Sequence, residues 1–251
     1  MARIELRDVT IYVQDGLAGT ATLSANGSQN DATININNVV LNTTVNDQVP
    51  VGARLYLDGE TVNTVHTVTA RDPSSNTTTC VTISPVLGAG SYNSGNSENA
   101  VTFINQRIEV KVGEGNVTYS EKKEYEYLRD RGNLDTVKEG DEQPVEVSLE
   151  FVYEYVRASS GEDVTPVDAI KGINNASEWV SSSADLCEPY AVDMLLKHCV
   201  PCGTDEDEDV LLPDFRWEQL DYDLGAATIS VSGQCNVSNA TVTRSNDAEC
   251  A

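Results

Sequence analysis

Apolar and polar positions alternate with a period of two along most of the chain, and the clearest instance is "QPVEVSLEFVYEYV", residues 143–156. Val145, Val147, Leu149, Phe151, Tyr153 and Tyr155 occupy one set of positions, and Glu146, Ser148, Glu150, Val152, Glu154 and Val156 the other. Side chains alternate faces along a strand, so this segment predicts one core face and one face carrying a ladder of carboxylates roughly 7 Å apart. "RIELRDVTIYVQDG" also alternates and stops at the turn signal Asp15-Gly16. Residues 19–35, "GTATLSANGSQNDATIN", read as a linker. Short strands follow in "TININNVVL", "ARLYLDG", "VHTVTARD", "TTCVTISPVL" and "AVTFIN", separated by Asn, Gly, Pro and Ser clusters. Their spacing predicts a small antiparallel barrel or sandwich.

A second β unit starts at "QRIEVKVGEGNVTYSEKKEYEYLRDRG" and carries one helix. Thr165 suits the N-cap and Pro166 the first helical position. Ala169, Ile170, Ile173, Ala176, Trp179 and Val180 recur at helical spacing, which predicts a helix over 166–181. "YAVDMLLKHC" and "AATISVSGQCNVS" predict further strands around the acidic loop "GTDEDEDV". There is no internal repeat.

The 251 residues suffice for one large or two modest domains. Charge adds a boundary to the pattern. Residues 1–105 hold 9 acidic and 4 basic side chains, whereas 106–251 hold 31 and 12, a step from −5 to −19 within a total of −24. Such a surface argues against gripping a nucleic-acid backbone, which takes Lys and Arg. It is compatible with working beside DNA without sticking to it. "MARIELRDVTIYV" lacks a signal-type apolar core and no stretch approaches a membrane span, so synthesis and assembly in the cytoplasm are expected. The Asn-x-Ser/Thr triplets, Asn26 among them, then read as chance products of an Asn/Thr-rich chain.

No catalytic constellation is evident, and no cofactor is implied. His66 and His198 stand alone in strand contexts, predicting surface or core-edge roles. "GEGN", 113–116, is a turn between strands with no helix behind it to cradle phosphate. "DEDED", 205–209, lacks calcium-loop ligand spacing and reads as a solvated hairpin tip. Cys187, Cys199, Cys202 and Cys235 are weak metal candidates with only one close pair; a disulfide formed outside the cell and free packed thiols are the alternatives. Cys80 and Cys250 read as unpaired.

Three stretches carry a family resemblance: "VKVGEGNVTYSEKKEYEYLRDRGNLDTVKEGDEQPVEVSLEFVYEYV" (110–156), "SADLCEPYAVDMLL" (183–196) and "LPDFRWEQLDYDLGAATISVSGQCNV" (212–237). With Arg131-Gly132, Leu134-Asp135 and Glu139-Gly140-Asp141 in order, the chain resembles the tail tube (major tail) proteins of long-tailed bacteriophages over residues 1–20 and about 105–251. The resemblance implies a mainly β fold: a tail-tube-type β-sandwich with one flanking α-helix, here 1–24 with 105–251, and a small inserted antiparallel β domain, 25–104, on the tube exterior. It also implies homohexameric rings stacked into a tube that conducts genomic DNA without specific binding. Partners would be further copies and the tape measure, terminator, distal tail and, in a contractile tail, sheath proteins; no membrane is involved.

On that resemblance, 143–156 is a lumen strand and 117–128 its partner. Lys122, Glu124, Glu126, Glu146, Glu150 and Glu154 would face the channel, with Val117, Tyr119, Tyr125 and Tyr127 packed outward against the helix and a second sheet. A negative lumen repels phosphates and prevents arrest in transit. Residues 126–143 would form the long loop between the lumen strands. Its Arg129, Asp130, Arg131, Asp135, Lys138, Glu139 and Asp141 would stack on the next ring through exposed ion pairs, each worth about 0–1 kcal/mol. The rival readings are a capsid decoration or other tail-surface protein and an extracellular β-sandwich adhesin.

Overall fold

The computed structural model describes residues 9–17, 19–37, 49, 51–60, 64–72, 78–90, 92, 100–113, 115–153, 164–177, 179–183, 187–199 and 206–245. Strands β1 (Val9–Gln14), β2 (Gly19–Thr22), β3 (Thr33–Asn37), β4 (Arg54–Leu57), β5 (His66–Asp72), β6 (Thr78–Ser84) and β7 (Ala100–Ile104) come first. Then follow β8 (Arg107–Val110), β9 (Val117–Ser120), β10 (Lys123–Asp130), β11 (Asn133–Glu142) and β12 (Val145–Val152). The helix α1 (Pro166–Lys171) precedes β13 (Val192–His198), β14 (Asp207–Asp223), β15 (Thr228–Cys235) and β16 (Thr241–Ser245). The protein is mainly β: among the described residues there are several antiparallel sheets, one of them a curled half-barrel, and one short helix.

The chain divides into two units: residues 1–13, 109–157 and 193–251 in one, and 14–108 with 158–192 in the other. The segment bearing α1 thus groups with the short-strand unit. That unit's sheet runs β2-β7-β4-β5-β6-β3, and an isolated Leu23–Ile36 bridge draws its two edge strands together. Alternation explains the curl. Leu55, Leu57, Val81, Ile83, Val101 and Phe103 point inward and are buried, while their neighbours stay partly exposed. β2 lies within 19–35, where a linker was expected: Thr20 and Ala21 pair with Thr102 and Val101 of β7.

The helix is shorter than its apolar spacing predicts. Thr165 caps it, its Oγ1 accepting the Asp168 N–H at 3.0 Å. It ends at Gly172, which is left-handed (φ 62) with its N–H turned back on the last turn. A Cβ there would press to 2.9 Å from the Tyr190 ring. Ile173, Ala176, Trp179 and Val180 therefore belong to a single 3-10 turn (Asn174–Ala176) and extended chain rather than to more helix.

The other unit contains an eight-stranded sheet ordered β8-β1-β13-β14-β15-β12-β9, with β16 also on β14. β14 changes partner midway. Asp207–Leu211 pairs with β16 and Phe215–Asp223 with β15. The change falls at Pro213-Asp214, where Asp214 is left-handed (φ 59) and its N–H donates to Asp193 Oδ1 at 2.9 Å. Asp207, Glu208 and Asp209 are strand residues, not a hairpin tip, and Glu208 Oε2 accepts from Arg244 Nε across the ladder at 2.7 Å.

Candidate functional site

Within its bounds β12 has the two faces that its alternation predicts. Tyr153, expected on the core face, lies just past its end and is 49% exposed, and Tyr155 lies outside the described residues. Val145, Val147, Leu149 and Phe151 are buried, Glu146 is exposed and Glu150 half-buried. Glu154 lies outside the described residues. Register extends both faces across the sheet. On the polar face, one row runs Ser120, Glu146, Gln234, Arg216, and the next Thr118, Ser148, Ser232, Gln219. Glu150 lines up with Ser230 and Asp221, and Val152 with Thr228 and Asp223. On the opposite face, Leu149 lies beside Val117 and Val231, and Phe151 beside Ile229.

The carboxylate ladder is therefore one column of a wider polar face in which hydroxyls and amides separate the acids. It also carries cations: Lys122 Nζ is 2.7 Å from Glu146 Oε1, both about half exposed, and Arg216 Nη1 is 3.1 Å from Asp214 Oδ2. Two adjoining hollows of about 350 and 330 Å³ groove this region and share Glu218 and Gln234. Ser230, Ser232, Gln234, Gln219, Asp221 and Asp223 were missed from sequence, although "TISVSGQC" alternates as plainly as β12 does.

The expected lumen strand 117–128 is two strands. β9 pairs with β12 as far as Ser120, beside Glu146, and the chain then leaves for a separate ribbon in which β10 pairs only with β11. Glu124 and Glu126 belong to that ribbon: Glu126 faces Lys138, and Glu124 packs on Gly140. The expected loop 126–143 is likewise a hairpin. Asp130 pairs with Asn133 around Arg131 (φ 47) and Gly132 (φ 88), the two left-handed positions of a tight hairpin turn. Arg129, Asp130, Arg131, Asp135, Lys138, Glu139 and Asp141 are all exposed on it, with Asp135 in an irregularity between Leu134 and Thr136. Lys123 Nζ to Glu139 Oε1, at 3.3 Å, is an ion pair within the ribbon.

Tyr125 and Tyr127, expected in the core, are 47% and 57% exposed. Tyr127 faces Val137 across the ribbon, and Leu134, 67% exposed, faces Arg129. Period-two counting put Tyr125 and Tyr127 on the buried face because it could not see that the strand leaves its sheet after Ser120. Tyr119, expected in the core with them, is 40% exposed although β9 still pairs with β12 there.

Among the described residues, the weak metal candidates Cys187, Cys199 and Cys235 are not grouped as a metal centre. Cys199 is disulfide-bonded, Cys187 is exposed and Cys235 is a buried free thiol; Cys202 lies outside the described residues. Burial, aided by Asp193 and Asp214, pushes the Cys235 thiol up to about 12, so it packs as an inert side chain. Among the described residues no group of three or more His, Cys, Asp or Glu could hold a metal. Cys80 is a free thiol, and "GEGN" is a turn: Gly115 N–H donates to the Val112 carbonyl at 2.9 Å, and a Cβ on Gly115 would strike the Glu150 carbonyl. No helix among the described residues is long and apolar enough to cross a membrane. No protein-family model, curated protein or solved structure matches the chain.

Proposed function

We propose that this chain is a structural virion protein of a long-tailed phage, assembling as stacked hexameric rings into a tail tube whose acidic lumen conducts DNA. Its role is mechanical: it catalyses no reaction and holds no cofactor. The β12 face lines the channel, the sheet being the inner layer of a tail-tube-type sandwich. Other tail proteins meet the tube at its ends.

The ribbon of β10 and β11 carries the reading. A two-stranded hairpin is marginally stable in water by itself, and this one leaves Tyr125, Tyr127, Leu134 and Val137 exposed. A chain of net charge −24 gains little solubility from a naked apolar stripe, and an assembly would cover it. The tail-tube resemblance includes this ribbon, residues 110–156 being its longest motif.

Substituting Tyr125→Ser, Tyr127→Ser and Val137→Thr together tests the assignment. The side chains are exposed, so each change should move folding stability by no more than about 0.5 kcal/mol. Sedimentation velocity should show large assemblies for the parent chain and small species for the triple variant. Equal assembly of the two proteins would remove the ribbon from the interface, and a strictly monomeric parent chain would overturn the tube.

A further inference from the structure

Register sorts the exposed side chains of the ribbon by face. Directly opposed residues of an antiparallel pair share a face, so Tyr127 stands with Val137, and Arg129 with Leu134. Tyr125, two residues before Tyr127, joins them. One face of the ribbon is therefore an apolar stripe that ends in a cation, and Arg131 adds a second cation at the turn. The opposite face carries Glu126 with Lys138 and Asp130 with Asn133.

A second exposed apolar cluster sits at the end of β12. Phe151, Ile229 and Tyr222 form one row of the sheet, and Tyr153 continues that face past the last residue of β12. The rings of Tyr153 and Tyr222 meet edge to face, their centroids 6.4 Å apart and their planes at 85°. Tyr153 N–H donates to the Ala227 carbonyl at 2.8 Å, which holds it beside the turn between β14 and β15. In that turn Asp223 Oδ1 accepts the Gly225 and Ala226 N–H groups at 2.8 and 3.0 Å. Leu224 projects from it, 79% exposed. Asp221 and Asp223 flank the cluster from successive rows of the polar face.

The two clusters belong to opposite ends of β12. The ribbon is rooted at its start, where Ser120 faces Glu146 and β11 ends at Glu142, and the Tyr153 cluster begins where it stops. The strand between them spans about 23 Å, at about 3.3 Å per residue. Both clusters stay exposed in the single chain, so neither covers the other. Unlike surfaces at opposite ends of one element suit a head-to-tail contact, which repeats from copy to copy without closing. We propose that the ribbon of one copy seats its apolar face on the Tyr153, Tyr222 and Leu224 cluster of the next copy, with Arg129 and Arg131 against Asp221 and Asp223. The contact rests on the tube reading and names the surfaces that join one ring to the next. Apolar burial supplies its affinity. The charges fix its register, because like charges brought together there would oppose docking.

Two variants of the full chain with crossed charges test this. Arg129→Glu with Arg131→Asp makes the ribbon acidic and gives its turn the Asp-Gly pair that hairpins favour. Asp221→Arg with Asp223→Asn makes the opposite cluster basic, while the Asn oxygen can still accept the N–H groups of the turn. All four positions are exposed, so circular dichroism should find both variants folded. In sedimentation velocity, at a salt concentration where the parent chain assembles, each variant alone should lose the large assemblies. Its ribbon then meets a cluster of like charge. An equimolar mixture should restore them, because each variant supplies the complement that the other lacks. Variants that assemble alone as the parent does, or a mixture no larger than its components, would overturn this contact and leave the tube reading in place. A parent chain that stays monomeric at every salt concentration would overturn both.

Discussion

Glu150 and Phe151 are adjacent on β12 and face opposite environments, and their substitutions should differ accordingly. Phe151 is 1% exposed between Leu149 and the Ile229 row. Its replacement by Ala removes a buried ring and leaves a cavity, so denaturant unfolding should register a loss of about 3–5 kcal/mol. Glu146→Gln with Glu150→Gln keeps shape and pairing. It removes like charges from one column and breaks the exposed Lys122–Glu146 contact, an ion pair worth about 0–1 kcal/mol. The double variant should therefore stay within about 1 kcal/mol of the parent chain. A loss as large as that of Phe151→Ala would mean that the carboxylates hold the sheet together.

Strands whose alternation continues unbroken to their ends were legible in sequence. β12, β15 and five strands of the half-barrel, β3 to β7, stand within the stretches predicted for them, because one apolar face per strand is what a half-buried antiparallel sheet demands. What failed were terminations. Gly172 stops α1 while apolar spacing continues, Pro213-Asp214 hands β14 to a new partner, and nothing in the pattern marks the departure of the chain after Ser120. The turn at Arg131-Gly132 lacks the Asn-Gly or Asp-Gly signature, so the ribbon read as a loop. Hydroxyl rows beside the ladder were invisible until register placed them next to Glu146 and Glu150. The sheet itself supplies a test of which face meets DNA. Tubes of Glu146→Lys with Glu150→Lys should bind a short duplex and shield it from nuclease at about 50 mM salt, then release it by about 200 mM as counterions compete. Parent tubes should shield none. Bound duplex that stays digestible would place this face outside the channel.

For the whole molecule, the uneven charge matters most. Residues 106–251 carry −19 of the −24, so copies that meet through this portion repel one another. Salt shortens that repulsion, the Debye length falling from about 30 Å at 0.01 M to about 10 Å at 0.1 M. Contacts made by Tyr125, Tyr127, Leu134 and Val137 lose little to screening. Assembly should accordingly strengthen with ionic strength, the reverse of what salt does to a phosphate-binding surface. Negative-stain electron microscopy of the purified chain at moderate salt addresses the central claim directly. A tail tube protein should give rings or tubes with a stain-filled central hole, and uniform particles of monomer size at every concentration and salt would contradict that assignment.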